Sequence, residues 1–270
     1  NLTITLDGPV NAIPHNFYLF KDNNGNFSPI IWDLNGSFGT FKNGLPQPVT
    51  TQDLQELDIF HGSSNSLNKM TTQMTTQMFS SDQYKRMYVA HMRTILNEQF
   101  ANSNYLTRAN QLQAIIDSSV NADPNGFYSY TQFLSNINSS VGSPNSIVGI
   151  SELMNARVAY LQSLPEFTAV PPTISNITSS PTNPIPHSSV SISAQITNAS
   201  NVFLGYRFKF HDAFKKVAMT DNGGGNYSTT INVDARDVQY YIYAENNDAG
   251  IFSPERAEKE FHQLAVVDKL

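Results

Sequence analysis

Apolar positions along this chain follow one period up to about residue 41, a second from about 53 to 164, and return to the first beyond 172. In the opening stretch, "NLTITL" alternates through Leu2, Ile4 and Leu6 as a strand does. "NFYLFKDNNGNFSPIIW" follows, with aromatic and β-branched residues on both sides of Asn23-Asn24-Gly25-Asn26. Asn-Gly favours the φ > 0 turns that close hairpins, so residues 16–32 predict a β-hairpin. "GLPQPVTTQDLQ" then reads as an exposed connector. The helical period begins near 53. "SDQYKRMYVAHMRTILNEQF" places Tyr84, Met87, Tyr88, His91, Ile95 and Leu96 near one face, with Ser81 or Asp82 as N-cap. "NSNYLTRANQLQAIIDSSV" repeats the logic through Tyr105, Ala109, Leu112, Ile115, Ile116 and Val120, and further helices are predicted over 128–137 and 149–164. In the tandem "TTQMTTQM", Met70, Met74 and Met78 share a helical face, which predicts a core stripe.

"PEFTAVPPTI" ends the helical region, because Pro165, Pro171 and Pro172 rule out its continuation. About seven short strand-like segments follow, separated by Pro, Asn, Asp and Gly, the spacing of an antiparallel sandwich of immunoglobulin or fibronectin type. The expected organisation is therefore α+β: residues 1–166 as a hairpin with helices, 167–172 as a linker, and 173–265 as an all-β sandwich. With no cysteine and the lone Trp32 outside this region, the disulfide and buried tryptophan of antibody domains are both missing.

Composition narrows the classes. Only 14% of residues are charged, the net charge is −6, and no basic block occurs, which excludes a nucleic-acid footprint. The missing cysteines exclude thiol catalysis and Cys-based zinc sites. No apolar run approaches the roughly 20 residues that span a bilayer. A surface rich in Asn, Gln, Ser and Thr points to an extracellular or cell-surface protein. The chain opens on Asn1 and at once on an apolar pattern, so we expect it to be the C-terminal part of a longer precursor.

Most chemical motifs are missing: there is no phosphate-binding P-loop, no G-x-G-x-x-G, no G-x-S-x-G and no H-E-x-x-H. The six histidines are scattered, and "HGSSNS" at 61–66 reads as a loop. "DNNGN" at 22–26 and "DNGGGN" at 221–226 resemble calcium loops but lack the closing Glu, and each sits where a hairpin turns. What remains is Asp7, then His15-Asn16 entering the predicted hairpin, and Asp33 leaving it. Such a hairpin brings Asn16 and Asp33 to one end, where amide and carboxylate oxygens suit Mg²⁺. On the residues alone, Asp33 reads first as a turn or cap aspartate, because Asp is ordinary at strand ends.

Leu6-Asp7, "HNFYLF" from His15 and "IIWDLNGSFG" from Ile30 together resemble the spore-coat-protein-H (CotH) kinase family. "FSSDQYKRMYVAHMRTILNEQF" and "ISELMNARVAYLQSLPE" look like that family's helical tail, so the resemblance covers roughly 1–166. It implies the C-terminal lobe of an atypical protein kinase using ATP and Mg²⁺. Asp33 would match the metal-binding Asp, Asn16 the second metal ligand, and Asp7 the catalytic Asp. His15 would orient the loop, and Asn35 would serve as an auxiliary ligand or a turn residue. Asn16 follows Asp7 by nine positions, where ordinary kinases have five. No nucleotide-covering loop or phosphate-pairing Lys precedes Asp7, so the chain by itself is expected to be inactive. A β-sandwich behind such a lobe is a familiar arrangement in bacterial surface proteins of this type. Two functions follow as expectations. One is transfer of phosphate to Ser or Thr of a surface protein by the parent protein. The other is a non-catalytic adhesion or glycan-binding protein built on a kinase-like scaffold.

Overall fold

A computed structural model describes residues 1–8, 16–22, 25, 27–43, 45–62, 69–143 and 146–267, with only the backbone described at 69–72 and 74. The chain is α+β, with a hairpin and helices followed by antiparallel sheets. By internal contacts it divides into two compact units. The first comprises Asn1–Phe20, Pro29–Ser81 and Ile95–Phe167, and the second Lys21–Ser28, Asp82–Thr94 and Thr168–Leu270. The expected organisation runs in chain order, 1–166, a linker over 167–172, and 173–265. By contacts the second unit also takes in the helical stretch Asp82–Thr94.

Strands β1 (Phe17–Lys21) and β2 (Phe27–Ile31) pair, followed by a 3-10 turn at Leu34–Gly36. Asn23, Asn24 and Asn26 of the expected turn lie outside the described residues. The helices are α1 (Thr51–Gln55), α2 (Lys69–Ser80), α3 (Asp82–Ile95), α4 (Asn104–Ala122), α5 (Tyr130–Ser135), α6 (Ile150–Ser163) and α7 (Pro165–Thr168), with a π-helical turn, Leu96–Phe100, after α3. The side chains of Met70 and Met74 lie outside the described residues, so the expected methionine stripe is not seen as a whole.

Two expectations for the first unit are corrected, and the reading of "NLTITL", open between strand and helix, is decided. "NLTITL" buries Leu2, Ile4 and Leu6 as its alternation predicts, yet it is not a strand. Ile4 sits at φ 51°, a left-handed conformation that a ladder strand excludes. Its neighbours' backbone is spent elsewhere: the carbonyls of Thr3 and Ile4 accept from the amides of Phe38 (2.9 Å) and Gly39 (3.1 Å). The "connector" contains α1, whose start is fixed by a capping box. Thr50 accepts from the Asp53 amide at 3.1 Å, while Asp53 accepts from the Thr50 amide at 2.8 Å. Finally, α4 buries no residue. Its apolar stripe, with Leu112 46% and Ile116 48% exposed, lines an open groove of about 870 Å³ in which Arg108 is the one charged lining residue among the described residues.

The second unit is built on two antiparallel sheets. One runs β3 (Thr173–Ser180), β4 (Ser189–Thr197), β8 (Asn226–Asn232), β7 (Thr220–Asp221). The other runs β10 (Gly250–Ser253), β9 (Val238–Glu245), β5 (Asn201–Arg207), β6 (Lys215–Ala218), with β11 (His262–Leu264) also on β9. Period two decides the core: Val190, Ile192, Ala194 and Ile196 of β4 meet Val238, Tyr240, Ile242 and Ala244 of β9. The opposite face of β9 is buried too. There Tyr241 and Tyr243 pack with Phe252 and with Ala90 of α3.

The predicted face of α3 holds in part. Met87 packs on that cluster, His91 stacks on Phe252 at 4.5 Å and Leu96 is buried. Tyr84 and Ile95 are exposed, whereas Gln83, Arg86, Ala90 and Thr94 pack as well. Gln83 Nε2 (2.8 Å) and Arg86 Nε (3.0 Å) donate to the buried Glu245 carboxylate, which also accepts from the Tyr243 hydroxyl at 2.8 Å. Gln83, Arg86 and Thr94 are polar, so an apolar periodicity misses their share of the contact. At "DNGGGN", the Asp221 carboxylate accepts from the Gly223 amide at 2.8 Å, as in a turn-forming Asx motif.

Candidate functional site

The site is assembled by backbone conformation at the two ends of the hairpin. Asn16, entering β1, has φ 60°, and Asp33, leaving β2, has φ 54°. Asn and Asp are the residues that best tolerate this left-handed region, because their short side chains bond locally. The Trp32 amide donates to the Asn16 carbonyl at 3.1 Å, which closes the hairpin base and sets Asp33 beside Asn16 in the backbone. Asp33 then precedes the 3-10 turn without capping it by its side chain, and it is exposed.

Asp7 and Asn16 are both buried, and they meet. Asn16 Nδ2 donates to Asp7 Oδ2 at 2.9 Å and, at longer range, to the Asp7 carbonyl at 3.4 Å. With the amide nitrogen turned to the carboxylate, the amide oxygen is the donor atom Asn16 has left for a cation. Gly36 closes the other side of Asp7. A Cβ added there would lie 2.8 Å from Asp7 Cβ and 3.2 Å from Oδ2, so nothing larger than glycine fits. The motif loop is held in turn by Phe38 and Gly39 on the Thr3 and Ile4 carbonyls and by a hydroxyl contact from Thr5 to Ser37 at 3.2 Å. Gly39 has φ 68° and backs onto Leu54 of α1, leaving no room for a Cβ.

Asp7, Asn16 and the Asp33–Gly39 loop are thus brought to one place. Asn35 is exposed and lines a cavity of about 500 Å³ with Thr5, Leu34, Ser37 and Thr40. His15 lies outside the described residues. Two residues that sequence reasoning passed over are central. Gly36 touches Asp7 directly. Arg157 of α6 is fully buried and donates to the carbonyls of Asn1 (3.0 Å), Leu2 (3.2 Å), Gln55 (3.0 Å) and Leu57 (2.8 Å). A signal for Arg157 did exist. It shares a helical face with Leu153, Met154 and Leu161, all fully buried, so spacing alone assigns it to the interior.

The model of the family described as CotH kinase protein matches residues 3–161, more than half of the chain. The chain belongs to that family, and membership supports a kinase-like protein. No curated protein matches it. Among solved structures, a crystal structure of a Br derivative of BhCBM56 is similar over 35% of this chain and 88% of that one, at 14% identity and TM-score 0.24, too low a score to bear on fold or function.

Proposed function

We propose that residues 1–166 carry the metal- and acceptor-facing part of an atypical protein kinase active site. The protein moves the γ-phosphate of ATP to Ser or Thr of another protein at the bacterial cell surface. The observation that carries this reading is the meeting of Asp7, Asn16 and the Asp33–Gly39 loop, with Asn16 donating to Asp7 at 2.9 Å and Gly36 packed on Asp7.

The donor set fits Mg²⁺. No group of three or more His, Cys, Asp or Glu able to hold a metal occurs among the described residues, so these form no all-protein cage. Mg²⁺ asks for less: one or two protein carboxylates, with waters and substrate phosphates as its other ligands. The Asp33 carboxylate and the Asn16 amide oxygen supply that from the two ends of the hairpin. Held by these two groups, Mg²⁺ would supply neutralisation of the charge on the transferred phosphoryl group. Asp7, oriented by Asn16 and Gly36, takes the proton of the acceptor hydroxyl. The hydroxyl oxygen bonds to the γ-phosphorus as the bond to the departing ADP oxygen breaks. Tyr18 and Trp32 stack at 6.2 Å and 22° and are 65% and 47% exposed, which gives a flat aromatic platform beside Asp33 for the nucleobase. A sparsely charged, Asn- and Ser-rich surface supports a location outside the cell.

The test is phosphate transfer to surface proteins by the full-length gene product. Asp7→Asn is expected to lower the rate by about 10²–10⁴ while Mg²⁺–ATP binding persists, because a positioned general base contributes on that order. Undiminished transfer in the variant contradicts the role given to Asp7. No Mg²⁺-dependent transfer by the wild type favours the non-catalytic surface protein, and glycan or partner binding is then the property to measure.

A further inference from the structure

The structure assigns Arg157 as the positioning residue of the site: its guanidinium, on α6, sets the segment that carries Asp7 and the helix that backs the motif loop. This inference rests on the kinase reading for its consequence in binding, and on geometry alone for its structural content.

Arg157 has no exposed surface, and its nitrogens reach four backbone carbonyls on two separate segments. Nε and Nη2 hold Leu2 and Asn1, at the head of the run ending in Asp7. Nη1 holds Gln55 and Leu57, at the C-terminal end of α1. Each segment then touches the motif loop. Thr3 and Ile4 accept from Phe38 and Gly39, and Leu54 of α1 fills the space beside Gly39. The chain of contacts therefore runs from Arg157 to residues 1–2, through 3–4 to the Asp33–Gly39 loop, and through 5–7 to the Asp7–Asn16 pair.

A planar fork of five N–H donors is what this arrangement requires. Lysine carries the same charge with three donors around one nitrogen, so it cannot reach carbonyls lying on both sides of the fork. An apolar replacement leaves four carbonyls in the interior without their donor. Either change loosens residues 1–7 against the loop. Supporting groups of this kind are worth roughly 10–100-fold in the affinity of the site they hold.

The experiment compares wild type, Arg157→Lys, and Arg157→Gly with and without ethylguanidinium, using two readouts. The first is the ¹H–¹⁵N signal of the Asn16 side-chain amide in this chain, which reports its bond to Asp7 and needs no nucleotide. The second is Mg²⁺–ATP affinity of the full-length gene product, read by calorimetric titration. Arg157→Lys is expected to stay folded, to shift the Asn16 amide together with Phe38 and Gly39, and to weaken affinity roughly 10–100-fold. Ethylguanidinium is expected to restore both in Arg157→Gly, which covers the case in which the lysine variant fails to fold. An Asn16 amide unchanged in the lysine variant, or a loss in the glycine variant that ethylguanidinium does not reverse, overturns the proposal. If the wild type binds no nucleotide, the kinase reading fails and the amide signal still decides the role of Arg157.

Discussion

Replacing Glu245 with alanine is expected to destabilise the second unit by about 3–5 kcal/mol, the usual cost of removing one partner of a buried ion pair. The side chains of Glu245 and Arg86 are 2% and 18% exposed, so the pair belongs with buried bridges and not with surface ones. Removing the carboxylate leaves the Arg86 guanidinium, the Gln83 amide and the Tyr243 hydroxyl facing a hole. Hydrogen exchange at the β9 amides reads the loss. Arg256–Glu260 is the control, since both its side chains are about half exposed. Glu260→Ala is expected to change stability by less than about 1 kcal/mol. A comparable loss in both variants contradicts the assignment.

The same carboxylate sets an acid limb. Burial pushes the Glu245 carboxyl up, but hydrogen bonds from Arg86, Gln83 and Tyr243 outweigh burial and hold it below the ordinary value. Its stabilisation is therefore complete above the unfolded pKa and disappears as pH falls through the lower folded one. Glu245→Gln removes that titration, so its stability profile should be flatter than wild type across this acid range.

Gly36→Ala is expected to damage the site far more than the fold. The added methyl would sit 2.8 Å from Asp7 Cβ and 3.2 Å from Phe41 Cβ. Neither is the far end of a flexible side chain, so Asp7 must move and its 2.9 Å bond from Asn16 is lost. Overpacking of this kind costs about 1–3 kcal/mol in stability. A misplacement of about 1 Å in a catalytic group costs on the order of 10² in rate. Phosphate transfer by the full-length gene product should therefore fall about a hundredfold with a modest drop in melting temperature. Gly8→Ala is the matched control, because its added Cβ meets Thr5 only at an ordinary 3.7 Å. Equal effects at the two glycines contradict the packing argument.

The parts of this protein that were legible in sequence are those decided by local periodicity. The strands β4, β5 and β9, the helices α4 and α6, and the paired β1 and β2 follow from alternation, helical spacing and turn residues. Asp7, Asn16 and Asp33 could be named from the motif order, and the structure brings Asn16 to Asp7 across nine positions. What was not legible depends on contacts between distant segments. Ile4 leaves the strand conformation because Thr3 and Ile4 give their carbonyls to residues 38 and 39. Gln83 and Arg86 of α3 turn inward because their partner is the buried Glu245, 162 residues from Gln83. Gly36 read as part of a turn, whereas the space it leaves is taken by Asp7. Helix α1 was the exception: the Thr50-x-x-Asp53 capping box was present in the sequence and marks its start.

The central claim is that Asp33 and Asn16 hold Mg²⁺–ATP. Calorimetric titration of the full-length gene product with ATP, with and without Mg²⁺, tests it most directly when wild type is compared with Asp33→Ala. The account predicts Mg²⁺-dependent binding in the wild type that is lost in the variant while the variant remains folded. Equal binding in the two proteins, or ATP binding indifferent to Mg²⁺, would contradict it.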